Sequence, residues 1–260
     1  MSQVSQTNIR SLFIRFISKE PVETTPFLIK GALMKMFPNE KFVSFVNGEM
    51  RGIYLYPRVQ VKILRKQLCI FAISEGIMPT HSIAEKLTSL DAGDITYHFD
   101  DFEQHTQSNG LFTVTHKLYH KYKFITPWVA LNGRQLTQYE TMFSNERRSF
   151  LNSALIKNIE FVITELDCPV QPNIQIRFRT SSLYPKTVEY SHFGSFKGLF
   201  TTNVVLPNYL GLGNSITKGL GSLIRVEANG IRQTENHPEV CSQRLNDLNK
   251  VDSREDNNIK

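Results

Sequence analysis

The sequence predicts an α+β fold, and three observations point to it. Short segments with apolar–polar alternation recur along the chain, the mark of half-buried strands. Other stretches carry helical periodicity instead, one of them long. The two kinds are interspersed, with turn residues between them. At 260 residues, with 40% hydrophobic residues and 18 Phe, the chain can fill the core of one large domain or two ordinary ones.

Ile9 to Ser18, rich in Ile and Phe, reads as the first strand. Pro26 opens a helix to Met36, with Thr25 as N-cap and Pro38 just beyond its end. Next, Val59, Val61 and Ile63 share one face while Arg58, Gln60 and Lys62 share the other. That pattern predicts a half-buried strand with a basic outer surface. Lys66 and Gln67 turn the chain into a second strand, Leu68 to Ile73. A short helix around Ser82 to Leu87 and a strand near Ile95 to Phe99 complete the order β-α-β-β-α-β, the ferredoxin-like pattern.

Leu111 to Ile125 alternates again. Phe112, Val114, His116, Leu118, His120, Tyr122 and Phe124 share one face, and Lys117, Tyr119, Lys121 and Lys123 the other. Leu131, Asn132 and Gly133 read as a turn between two halves. A helix from about Ser144 to Glu165 carries one apolar stripe through Leu151, Leu155, Ile159, Val162 and Leu166. Strands are expected at Ile174 to Arg179, Thr187 to His192 and Leu199 to Leu206. The domain reading is 1–126, 127–228 and a tail at 229–260, polar and without aromatics, expected to be largely disordered.

The net charge of +6 favours a polyanionic partner. Residues 228–260 hold five Lys/Arg against six Asp/Glu, so the excess lies in the body. Cys69, Cys168 and Cys241 form no CxxC pair, which argues for a reducing compartment and against a zinc knuckle. Arg10 and Arg15 interrupt the apolar N-terminal stretch, and no run is long enough for a membrane span, so a cytoplasmic location is expected. His116 and His120 would have metal-ligand spacing on a helix, but their segment alternates as a strand and lacks the intervening Glu of HExxH. No metal and no cofactor are expected.

The densest motif is GLGNSITKGLG, from Gly211 to Gly221, which holds Gly211, Gly213, Gly219 and Gly221 of the chain's 14 glycines. Glycines permit positive φ and close backbone approach, and a run of them can turn several N–H groups toward an anion. Lys218 adds a cation where that anion would sit.

This loop, two Gly-Leu-Gly triplets separated by five residues including a lysine, resembles the C-terminal glycine-rich loop of the CRISPR RNA-processing endoribonucleases. These are a branch of the repeat-associated (RAMP) superfamily, CRISPR-associated protein six. The lead-in FTTNVVLPNYLGLG, with Asn203, Leu206 and Pro207, is similar too, as are YPRVQVKIL, CIFAISEGI and WVALN. The likeness runs in order over roughly residues 9–226.

The resemblance implies two tandem ferredoxin-like domains and binding of CRISPR repeat RNA. It also implies metal-independent cleavage, the ribose 2′-OH attacking the adjacent phosphate. Such cleavage needs a proton acceptor, a proton donor and positive charge at the phosphate. Many members supply a histidine near the end of the first helix; here that stretch reads KMFPNEKFVSF, and Lys35 and Lys41 are the candidate catalytic residues. The candidate RNA-binding residues are the four loop glycines, Lys218, and the strand cations Arg58, Lys62, Lys121, Lys123, Arg177 and Arg179. Arg147 and Arg148 read as a solvated helix start. Two other readings stay open: a catalytically silent RAMP subunit that holds guide RNA, and an unrelated single-stranded RNA-binding protein. Other effector subunits and a second copy of the chain are the further partners considered; a membrane is not.

Overall fold

The computed structural model describes residues 8–115, 119–169, 173–189 and 191–226. The tail at 229–260, together with His116, Lys117 and Leu118, lies outside the described residues. In the first half the strands are β1 (Ser11–Ser18), β2 (Val59–Leu64), β3 (Gln67–Ile73), β4 (Ser89–Ala92) and β5 (Ile95–Gln107). The helices are α1 (Pro26–Met36), α2 (Lys41–Val46) and α3 (Ile77–Ala84). The sheet order is β2-β3-β1-β5-β4, with every neighbouring pair antiparallel. Setting aside β4, a short hairpin partner of β5, this is the ferredoxin-like arrangement.

Local chemistry accounts for the helix and the turn. Thr25 Oγ1 accepts the Leu28 N–H at 3.3 Å, and Pro26 occupies the first turn, where its missing N–H costs nothing. The β2–β3 turn falls on Arg65 and Lys66, both at positive φ, one residue earlier than the sequence indicates. Helix α3 likewise begins earlier than expected, at Ile77.

The second half repeats the order. Its strands are β6 (His120–Phe124), β7 (Trp128–Leu131), β8 (Ile176–Arg179), β9 (Lys186–Val188), β10 (Ser191–Phe196), β11 (Leu199–Thr202) and β12 (Leu223–Val226). The helices are α4 (Gly133–Glu140) and α5 (Ser144–Glu165). One antiparallel sheet runs β12-β6-β11-β8. Taken in chain order, this is again fourth, first, third, second, with α5 as the crossover between the first two strands. No α-helix joins β11 to β12; the glycine loop stands in that place.

Three expectations change. The turn at Asn132 starts α4, because Asn132 and Gln135 form a capping box. The strand expected over Thr187 to His192 is divided between the end of β9 and the start of β10; these two pair with each other, and β10 also pairs with β7. The strand from Leu199 stops at Thr202, where the Asn203 side chain ties the chain to Asn173 and Gln175.

Two apolar layers hold the molecule together. Ile29 and Leu33 of α1 and Ile83 of α3 cover one face of the first sheet, against Val59, Val61 and Ile70. The other face, through Phe13, Cys69, Phe71 and Ile73, shares a second cluster with Tyr122, Phe124, Trp128 and the α5 stripe. Strands β1, β2 and β3 are thus buried on both faces, and the basic outer surface read on β2 is not there. Arg58 is 4% exposed, and Gln60 and Lys62 are fully buried.

Candidate nucleic-acid interface

The two Gly-Leu-Gly triplets run against each other. Leu212 N–H donates to Gly221 O and Leu223 N–H to Leu210 O, and Gly211 bridges Ser222. Leu210 and Leu212 anchor the pair in the core. Glycine is required where the strands turn. Gly213 sits at φ 90, where a Cβ would come within 2.8 Å of the Trp128 ring, and Gly221 at φ 71, where a Cβ would lie 2.0 Å from Leu212 O. Most loop N–H groups are therefore engaged inside the protein. Those of Gly213, Ser215, Ile216 and Thr217, on the outward excursion, meet no acceptor among the described residues.

A buried polar seam joins this loop to β2. Gln60 donates to the Tyr56 hydroxyl at 2.8 Å and accepts the Gly211 N–H at 3.1 Å, while Tyr56 donates to Gly211 O at 2.8 Å. Lys62 Nζ donates to Ser222 Oγ at 2.7 Å. With no carboxylate beside it among the described residues, burial pulls the Lys62 pKa down to about 7. Burial likewise pushes the Tyr56 phenol up. Arg58 pairs with Glu75 at 2.8 Å, donates to Glu165 O, and lies 4.7 Å from the Tyr54 ring centre. Its Nη1 is buried without a partner among the described residues.

Beside the seam, a cleft of about 320 Å³ opens between the glycine loop and the first-half helices. Lys30, Arg51, Tyr54, Arg58 and Phe161 line it, together with Gly213, Ser215, Ile216 and Thr217 of the loop. The Lys30 ammonium has its pKa lowered, first by burial and then by the nearby charges of Arg51 and Lys218. Arg51 and Lys218 each repel the Lys30 ammonium, and an anion beside Lys30 would offset that repulsion.

Lys35 and Lys41 are exposed at the end of α1 and the start of α2, and neither lines this cleft. The structure brings Lys30, one and a half turns earlier on α1, to the loop instead. Lys30, Arg51 and Tyr54 escaped the sequence reading. The available signal was slight: a lysine directly after the core residue Ile29.

On the second sheet the register gathers four expected cations. Thr201 of β11 pairs with Lys121 on one side and Arg177 on the other, and Leu199 pairs with Lys123 and Arg179. All four are exposed and have no ion-pair partner among the described residues. Cations two strands apart stand about 10 Å from each other. The opposite face, with Tyr122, Phe124 and Phe200, is core. At the sheet's end, buried His120 accepts from Arg225 at 2.9 Å, and burial, then the Arg225 charge, lowers its pKa. Among the described residues no three His, Cys, Asp or Glu side chains come together as a metal ion would require.

The Cas6b N-terminal domain family matches residues 7–109, and the Cas6b C-terminal domain family matches residues 113–226. An uncharacterized protein of Methanocaldococcus jannaschii is 35% identical over 107 residues, covering 41% of this chain and 73% of that one. A crystal structure of Cas6b superposes with a TM-score of 0.69 at 24% identity, over 84% of this chain and 99% of the other. A second, of the CRISPR RNA processing endoribonuclease Cas6b, gives 0.60 at 20% identity, over 84% and 100%.

Proposed function

The chain belongs to the Cas6b family, and we propose on that footing that it binds CRISPR repeat RNA and cuts precursor transcripts as an endoribonuclease. A structural neighbour is described as such an enzyme. The observation that carries the proposal is the cleft that Lys30 and Arg51 share with Gly213, Ser215, Ile216 and Thr217 of the glycine loop, whose N–H groups meet no acceptor among the described residues. A crowded phosphate seated there gains both cations and oriented amides.

The proposed reaction needs no metal. The ribose 2′-OH attacks the adjacent phosphorus and the bond to the 5′-oxygen breaks, leaving a 2′,3′-cyclic phosphate and a free 5′-hydroxyl. Lys30, whose pKa lies below the ordinary lysine range, is suited to take or return a proton there. Lys35 and Lys41 stand outside the cleft, where they would steer the flanking backbone. The basic face of the second sheet would carry the strand away from the cut.

The test is incubation with a repeat RNA in EDTA. Cleavage to a 2′,3′-cyclic phosphate is expected, falling at least about tenfold in Lys30→Ala and staying within about twofold in Lys35→Ala and Lys41→Ala. Loss of cleavage in EDTA would sink the metal-independent chemistry. One observation favours a second reading, a silent subunit that holds guide RNA: among the described residues, the cleft lining contains no histidine. Tight binding with no cleavage under any condition would establish it.

A further inference from the structure

Arg147, expected as a solvated helix start, is instead clamped between two tyrosines. Its Cζ lies 5.3 Å from the ring centre of Tyr139 and 5.3 Å from that of Tyr184. Nε donates to Tyr139 O at 3.2 Å and Nη2 to Glu140 O at 2.9 Å, so the guanidinium plane is held from the side as well. Tyr139 is buried and its hydroxyl donates to Leu183 O at 2.9 Å, which secures the chain next to Tyr184. Tyr184 itself is 76% exposed. Its ring therefore has one face near a fixed cation and substantial surface in solvent. An aromatic side chain anchored at that level of exposure has no packing role that accounts for the anchoring.

The ring stands next to further positive charge. Besides the hollow that Tyr184 lines with Arg147, another of about 410 Å³ is lined by Arg148, Arg177, Arg179, Thr180 and Leu183. The two are joined through the covalent neighbours Arg147–Arg148 and Leu183–Tyr184. Arg148, Arg177 and Arg179 have no ion pair among the described residues, and Glu140 is the one carboxylate lining either hollow. Arg177 and Arg179 also belong to the basic face of β6, β11 and β8.

We propose that Tyr184, backed by Arg147, is a stacking platform for an unpaired nucleobase of the bound RNA, and that Arg148, Arg177 and Arg179 hold the flanking phosphates. This rests on the RNA-binding reading above and extends it to a second contact site on the second half. Phosphates need cations without competing carboxylates, and a splayed base needs a rigid aromatic face. Both are present within one patch. Stacking reads no sequence, so the site would grip single-stranded RNA and leave the choice of cleavage position to the cleft.

The test uses synthetic RNAs carrying one CRISPR repeat with its flanks, with 2-aminopurine placed singly at each position. In the wild-type protein one position is expected to show quenched fluorescence that Tyr184→Ala restores. Affinity should fall about 5- to 50-fold in Tyr184→Ala and stay within about twofold in Tyr184→Phe. Arg148→Gln should flatten the salt dependence of binding. Wild-type binding that Tyr184→Ala leaves unaltered would overturn the platform alone. Failure of the wild-type protein to bind any repeat RNA would overturn the RNA reading, and the platform with it.

Discussion

Strands β2 and β6 carry the same kind of pattern and meet opposite fates. In β2, Gln60 and Lys62 alternate with Val59, Val61 and Ile63; in β6, Lys121 and Lys123 alternate with His120, Tyr122 and Phe124. Lys62 is fully buried beneath the glycine loop, whereas Lys121 and Lys123 are exposed. The difference lies in what covers the second face. Each sheet has helices on one side, but only the first has the other half of the molecule packed on its second side. A polar face on a strand is therefore a place for solvent or for a neighbour. Hydrogen bonds decide which is tolerable: Gln60 and Lys62 find Gly211 and Ser222.

A carboxylate placed at matched positions separates the strands by the widest margin. Lys62→Glu should cost about 3–5 kcal/mol, because it buries an unpaired charge under the loop. Lys123→Glu should leave stability within about 0.5 kcal/mol. Urea unfolding midpoints measure both, and equal losses would dissolve the contrast.

The pH dependence comes next in size. The folded Lys62 pKa, about 7, lies below the ordinary 10.5, so the unfolded chain binds the extra proton between those values. Stability attributable to this residue is therefore lowest below about pH 7 and rises toward pH 10.5. The slope should be on the order of 1 kcal/mol per pH unit within the window. Lys62→Met should remove that slope; an unchanged difference between the two proteins from pH 7 to 10 would place the charge elsewhere.

Smaller still is the effect of removing one exposed cation. Lys121→Ala should lower the slope of log affinity for RNA against log salt by about 0.7 while leaving the unfolding midpoint in place. A slope identical to the wild-type value would take the second sheet off the RNA path.

Much of the architecture was legible from local pattern. Thr25, Pro26 and Pro38 bound α1 correctly, and the Leu151 to Leu166 stripe marks the buried face of α5. Both are decided within a few turns of chain. The candidate site was legible only in part. GLGNSITKGLG announced a special loop, yet Gly213 and Gly221 are needed for close packing on Trp128 and Leu212, and most of the loop N–H groups already have an acceptor within the protein. Lys30 and Arg51 carry no motif, because what makes them notable is a partner that arrives from more than 160 residues away, at Lys218.

By itself the sequence determined the bounds of α1, the buried stripe of α5, the β-α-β-β-α-β order of its first half, and the glycine loop that links it to its family. These follow from periodicity, capping and backbone freedom, all local. The tertiary structure alone decided which alternating face meets water, which cations meet one another, and that Arg147 backs an exposed ring. Alternation defines two faces of a strand but carries no information about what will pack against either. That is settled only when distant segments compete for the same surface.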